Sequence, residues 1–201
     1  MTWIDINSKW REGSAVTDCP YVIWEELLMP EMLDDLINYC SNLKLEQAGV
    51  FNDAKGADLL SIRNTEVGWV KREEMNDDMK AISNWIWSSI SNSNFWQFDI
   101  RGFGEPWQYA EYGPGAKYDW HVDVGPDNNH RKLSLTIQLS DENDYTGGLF
   151  HLEGQPPFDG SKFLKKGATI MFPSHYRHKV MPVISGMRKS LVIWVSGPKL
   201  K

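Results

Sequence analysis

Residues 132–140 constrain this chain most. Leu133, Leu135, Ile137 and Leu139 alternate with Ser134, Thr136 and Gln138, as in an extended strand with one apolar and one polar face. Such a strand must bury its apolar face against other elements. Its neighbours are of the same kind. Short candidate strands fall at 98–103, 107–112, 118–123, 148–153, 168–172, 177–183 and 189–196. Turn residues punctuate them at Gly113-Pro114-Gly115, Gly125-Pro126-Asp127-Asn128, Gly147-Gly148 and Pro156-Pro157. About eight short strands predict a β-sandwich or double-sheet jelly roll.

The first part of the chain reads differently. Residues 1–20 are irregular, and Tyr21 to Trp24 form a short strand. Pro30 opens a helix in which Met32, Leu33, Leu36, Ile37 and Cys40 recur at helical spacing, with Glu31, Asp34 and Asp35 near its start. Residues 47–62 read as a loop, and Val67 and Trp69 as a strand. A second helix spans about 76–90, with Met75, Met79, Ile82, Ile86 and Ile90 on its buried face. Helices gathered ahead of the strands give an α+β class, with the helices packed on one sheet. One domain is expected over 1–201: a helical and irregular support region through 94, then a β core over 95–197. The apolar face of 132–140 should lie under the helices. Its polar face meets either solvent or a polar cavity.

Composition narrows the partners. A net charge of −6 without a basic cluster argues against nucleic acid. Cys19 and Cys40 are too few for a disulfide scaffold. No apolar run approaches the roughly 20 residues that span a bilayer, and Met1 to Arg11 lack a signal-peptide pattern. A soluble cytoplasmic protein is expected. Most of the ten Trp residues should be packing residues.

His121 and Asp123 share a strand face and can chelate one ion, although Asp123 orienting His121 is the plainer alternative. His178 and Arg188 favour the metal. Two imidazoles and a carboxylate hold one face of a ferrous ion and leave positions open for a co-substrate and dioxygen. A fixed guanidinium can grip the far carboxylate of a 2-oxo acid. A hairpin at Ser185-Gly186 would put His178 and Arg188 on paired strands, with Arg188, Ser190, Val192 and Trp194 on one face. His175 is the rival third ligand. His130, beside Arg131 in a polar loop, should be solvated.

These residues, with Tyr112-Gly113-x-Gly115, Gly147-Gly148-Leu149 and His178-x-Val180-x-Pro182-Val183, resemble the Fe(II)- and 2-oxoglutarate-dependent dioxygenases, in particular the prolyl 4-hydroxylase-like branch of PKHD type. The resemblance covers about 95–197. It implies a double-stranded β-helix, iron on His121, Asp123 and His178, and Arg188 on the distal carboxylate of 2-oxoglutarate. It places Tyr112, Trp194 and Gln138 beside that co-substrate, although Gln138 stands where prolyl hydroxylases commonly carry Tyr. Tyr118 and Trp120 flank the metal strand as substrate-side candidates, and Phe150 replaces a small hydroxylic residue of some relatives. No catalytic residue beyond the iron ligands is implied. The implied reaction hydroxylates a C–H bond, prolyl in a protein or peptide, with O2 consumed, succinate and CO2 released, and ascorbate as reductant. The alternatives are the same chemistry on a small molecule, nucleobase or other side chain, a Zn or Mn cupin-like site, and a non-catalytic metal-binding jelly roll. Residues 47–61 and 155–166 are candidate closing segments.

Overall fold

The computed structural model describes residues 20–49, 62–153 and 160–199. Strand β1 (Val22–Trp24) leads to helix α1 (Pro30–Ser41), β2 (Glu46–Gln47), β3 (Glu66–Val70) and helix α2 (Asp77–Asn92). Then follow β4 (Gly102–Phe103), β5 (Trp107–Tyr112), β6 (Tyr118–His121), β7 (Arg131–Gln138), β8 (Tyr145–Gly147) and β9 (Phe150–Leu152). The chain finishes with β10 (Thr169–Pro173), β11 (His178–Val180), β12 (Val183–Gly186) and β13 (Arg188–Ser196).

The large sheet runs β1-β10-β7-β13-β5-β3-β2, with β4 added beside β13. A small sheet runs β6-β11-β9, and β12 pairs with β8. This is a double-stranded β-helix with its helices on the outer face of the large sheet. Alternation along the central strands builds both layers. Leu133, Leu135 and Ile137 of β7, Leu191, Ile193 and Val195 of β13, and Trp107 and Tyr109 of β5 join one buried cluster with Leu33 and Leu36 of α1 and Met79, Ile82, Ile86 and Ile90 of α2. The opposite faces point between the sheets, where Val67, Ala110, Ile170 and Phe172 meet Phe150, Leu152 and Val180 of the small sheet.

Both helices start as their sequences require. Pro30 sits in the first turn of α1. Asn76 caps α2, its Oδ1 accepting from Met79 N at 2.9 Å.

Three strand expectations are corrected. Of 98–103 only Gly102–Phe103 pairs, because the Asn94 side chain bonds both Phe98 N and Phe98 O and holds that stretch as a loop. The strand expected at 118–123 ends at His121. The strand expected at 177–183 breaks before Pro182, which has no N–H for a ladder. His178 and Arg188 therefore do not lie on paired strands. β11 pairs with β6 and β9, the chain crosses over at Met181-Pro182, and β13 enters the large sheet with Arg188 opposite Tyr112. Gly186 does turn the chain, at φ 76°, where a Cβ would meet Asp144 O at 2.0 Å. Residues 50–61 and 154–159, which hold most of the candidate closing segment 47–61 and the first five residues of 155–166, lie outside the described residues. Gly160–Phe163 forms a 3-10 turn. Among the described residues no helix is long and apolar enough to cross a membrane.

Candidate metal centre

β6 and β11 run side by side with His178 in register with His121. Asp123 lies just beyond β6, where its N–H donates to Ser174 O at 3.0 Å and turns it back toward both rings. Asp123 Oδ1 is 3.8 Å from His121 Nε2, and Oδ2 is 3.6 Å from His178 Nε2. One donor atom from each of the three residues lies within 4.8 Å of the others. A single ion bonded at about 2.1 Å to each would span such gaps.

The proton positions suit a metal. His121 Nδ1 faces Asp119 O at 2.8 Å, and His178 Nδ1 faces Tyr176 O at 3.0 Å. A carbonyl only accepts, so each ring carries its proton on Nδ1 and turns the Nε2 lone pair toward the cluster. Burial, then the neighbouring His178, push His121 down to about 3, so its ring is neutral. Burial works to raise the Asp123 carboxyl, but His178, His121 and the Ser134 hydroxyl outweigh it and hold it below its usual range.

Further residues brace Asp123. Ser134 Oγ donates to Asp123 Oδ2 at 2.6 Å and lies 3.0 Å from Ser174 Oγ. Arg131 donates to Asp123 O at 3.1 Å, pairs with Glu105 and covers the Trp194 ring at 3.8 Å. His130 is not solvated as expected. It is half-buried, 3.0 Å from Glu105 Oε1, because the carboxylate that neutralises Arg131 also draws it in.

A cavity of about 280 Å³ opens between the sheets beside the cluster. Arg188, 1% exposed, lines it. Its Nη1 donates to Ser190 Oγ at 3.3 Å, its guanidinium lies 5.2 Å from the Tyr112 ring centre, and Nη2 has no protein partner. Thr136, Val192 and Trp194 share the wall, so the polar face of β7 faces a cavity and not solvent. Gln138 is fully buried, and its Nε2 donates to the Tyr145 hydroxyl at 2.8 Å, on which the charge of Arg188 acts.

Tyr118 and Trp120 part company. Tyr118 stacks on His121 with ring centres 3.5 Å apart and lines the cavity. A register shift between His178 and Val180 puts Tyr118 and His121 on the same side. Trp120 faces away, beside Lys179 and Arg177. His175 is exposed, packs on Tyr176 and stays outside the cluster.

Sequence reading missed Arg63, Arg131, Ser134 and Tyr145. Ser134 was visible on the polar face of 132–140. Arg63, Arg131 and Tyr145 reach the site through loop paths and long-range pairing that no local pattern encodes.

The fold and the three-donor cavity together define a jelly-roll protein built to hold one metal ion beside a buried guanidinium. Residues 107–196 match the family described as 2OG-Fe(II) oxygenase superfamily. A PKHD-type hydroxylase from Sphingopyxis alaskensis is 33% identical over 115 residues, 53% of this chain and 50% of that protein. A PKHD-type hydroxylase from Synechococcus is 38% identical over 40% of this chain and 37% of its own length. The chain thus matches half or less of these relatives' length. Among solved structures, a prolyl-4-hydroxylase from Pseudomonas putida superposes with a TM-score of 0.68 at 18% identity, over 92% of this chain and 97% of that one. At that identity the likeness concerns the fold.

Proposed function

We propose that this chain is an Fe(II)- and 2-oxoglutarate-dependent dioxygenase that hydroxylates a prolyl residue of a protein or peptide. One observation carries the reading: three neutral or anionic donors and a buried, half-partnered guanidinium converge on one cavity. The donor set fits Fe(II), since two imidazoles and one carboxylate hold one face of an octahedral ion. The cavity fits a 2-oxo diacid, since Arg188 keeps a free N–H there for a distal carboxylate. In this reading 1–201 works as one unit, with 95–197 as its catalytic core.

His121, Asp123 and His178 would hold the iron, which with 2-oxoglutarate supplies the activation of dioxygen, giving succinate and CO2. The protein's own residues position and exclude. Arg188, steadied by Ser190, fixes the far end of the co-substrate. Tyr112 and Trp194 wall it, and Phe150 and Phe172 keep water from His178. Tyr118 borders the side from which substrate enters. The prolyl assignment draws on the named relatives, including a Trichoplax adhaerens prolyl hydroxylase solved with a hypoxia inducible factor peptide fragment. Ascorbate as reductant belongs to the same proposal.

The test is anaerobic titration of the Fe(II)-loaded protein with 2-oxoglutarate, followed by the visible charge-transfer band of the chelate. A saturable band that needs far more 2-oxoglutarate in Arg188→Ala is expected. Full metal occupancy without a band overturns the reading.

A further inference from the structure

Arg63 is a second buried guanidinium in the same cavity. It is 5% exposed. Nη1 donates to Gly49 O at 3.2 Å, whereas Nε and Nη2 have no partner. The guanidinium lies 4.4 Å above the Tyr118 ring, and Tyr118 stacks on His121, so the cation stands one aromatic ring away from a metal ligand. We infer that Arg63 receives a carboxylate of the substrate, a reading that rests on the function proposed above.

Charge and geometry both favour a carboxylate. Arg131 has its own acid in Glu105, and Arg188 faces the dianionic co-substrate. A ferrous ion, Asp123, Arg188 and 2-oxoglutarate together sum to zero. Arg63 is then left over: among the described residues no acid pairs with it, and a buried cation without a counter-charge is unfavourable. Glu46 lines the cavity too, but its Oε1 accepts from Trp69 Nε1 at 2.9 Å and makes no ion pair with Arg63. The unpartnered pair, Nε and Nη2, is one edge of the guanidinium fork, which binds both oxygens of a carboxylate in parallel. A neutral peptide carbonyl would fill one of those two N–H positions and leave the charge uncompensated. The substrate class is therefore an amino-acid unit with a free carboxylate, either a chain's C-terminal residue or a free amino acid.

The experiment uses Mn(II)-loaded protein saturated with 2-oxoglutarate, titrated calorimetrically with N-acetyl-L-proline, N-acetyl-L-prolinamide and L-proline. The acid should bind about tenfold or more tightly than the amide. That preference should vanish in Arg63→Gln and persist in part in Arg63→Lys. The unaltered protein decides the matter even where Arg63→Gln does not fold. Acetylproline binding above proline marks a C-terminal residue as the source; the reverse marks a free amino acid and replaces the peptide substrate proposed above while keeping its chemistry. Equal binding of acid and amide, binding of neither, or a preference that survives in Arg63→Gln overturns the inference. The first step, binding of 2-oxoglutarate itself, separates the two proposals. If it fails, the proposed function falls and this inference with it. If it succeeds and acid equals amide, only the role of Arg63 falls.

Discussion

Ser134 Oγ donates a 2.6 Å hydrogen bond to Asp123 Oδ2, and both residues are buried. The bond fixes how the carboxylate is turned. Ser134→Ala should weaken metal binding by about 10- to 100-fold, the usual cost of losing an outer partner of a ligand, while the fold persists. Competition with a chelator measures this. Unchanged affinity would show that Arg131 and the Asp123–Ser174 backbone bond suffice.

Gly148 explains the double-glycine turn. Its φ is 60°, and a Cβ there would lie 2.9 Å from Val183 Cγ2 and 3.0 Å from Arg188 Cδ. Gly148→Ala should displace Arg188 without removing its charge. The expected outcome is a several-fold higher 2-oxoglutarate requirement with metal affinity kept. An unchanged requirement would mean that Ser190 holds the guanidinium regardless.

Glu105 ties the metal strand to acid stability. Burial works to raise its carboxyl, but the hydrogen bond and charge of Arg131, then those of His130, hold it below its ordinary value of 4.5. A depressed folded-state value means stability that is present above about 4.5 and lost as pH falls through the lower folded value. Glu105→Gln should therefore be less stable than the natural protein near neutrality, by on the order of 1 kcal/mol because the pair is partly solvent-screened, and the two should converge in acid. Urea titrations at several pH values test this. Parallel curves across the whole range would remove Glu105 from the acid transition.

Cys40 is fully buried in α1, and burial pushes its thiol up to about 12. Its alkylation at pH 8, located by peptide mass, should occur only as fast as the protein unfolds. Rapid labelling in the native state would mean that α1 opens separately.

Much of this molecule was legible in advance because alternation is local. The two faces of 132–140 and of 188–196 could be read from side-chain order alone, and they fix both the helix-facing core and the cavity wall. His121 and Asp123 could be paired by the same rule, although the strand ends at His121 and the bond to Ser174, not alternation, sets Asp123 in place. What stayed hidden depends on pairing at long range. Nothing local shows that Pro182 sends His178 and Arg188 to different sheets, that a register shift turns Tyr118 inward and leaves Trp120 outside, or that Arg63 comes to rest on Tyr118.

The separation of His178 from Arg188 has a dynamic consequence. The small sheet, three short strands, carries both histidines, while the large sheet carries Arg188. Short ladders open at lower free energy than long ones. Amide hydrogen exchange should thus be faster in 118–121, 150–152 and 178–180 than in β7 and β13 of the metal-free protein. Binding metal and 2-oxoglutarate joins the two layers through one bridge, and should slow exchange in the small sheet toward that of the large one.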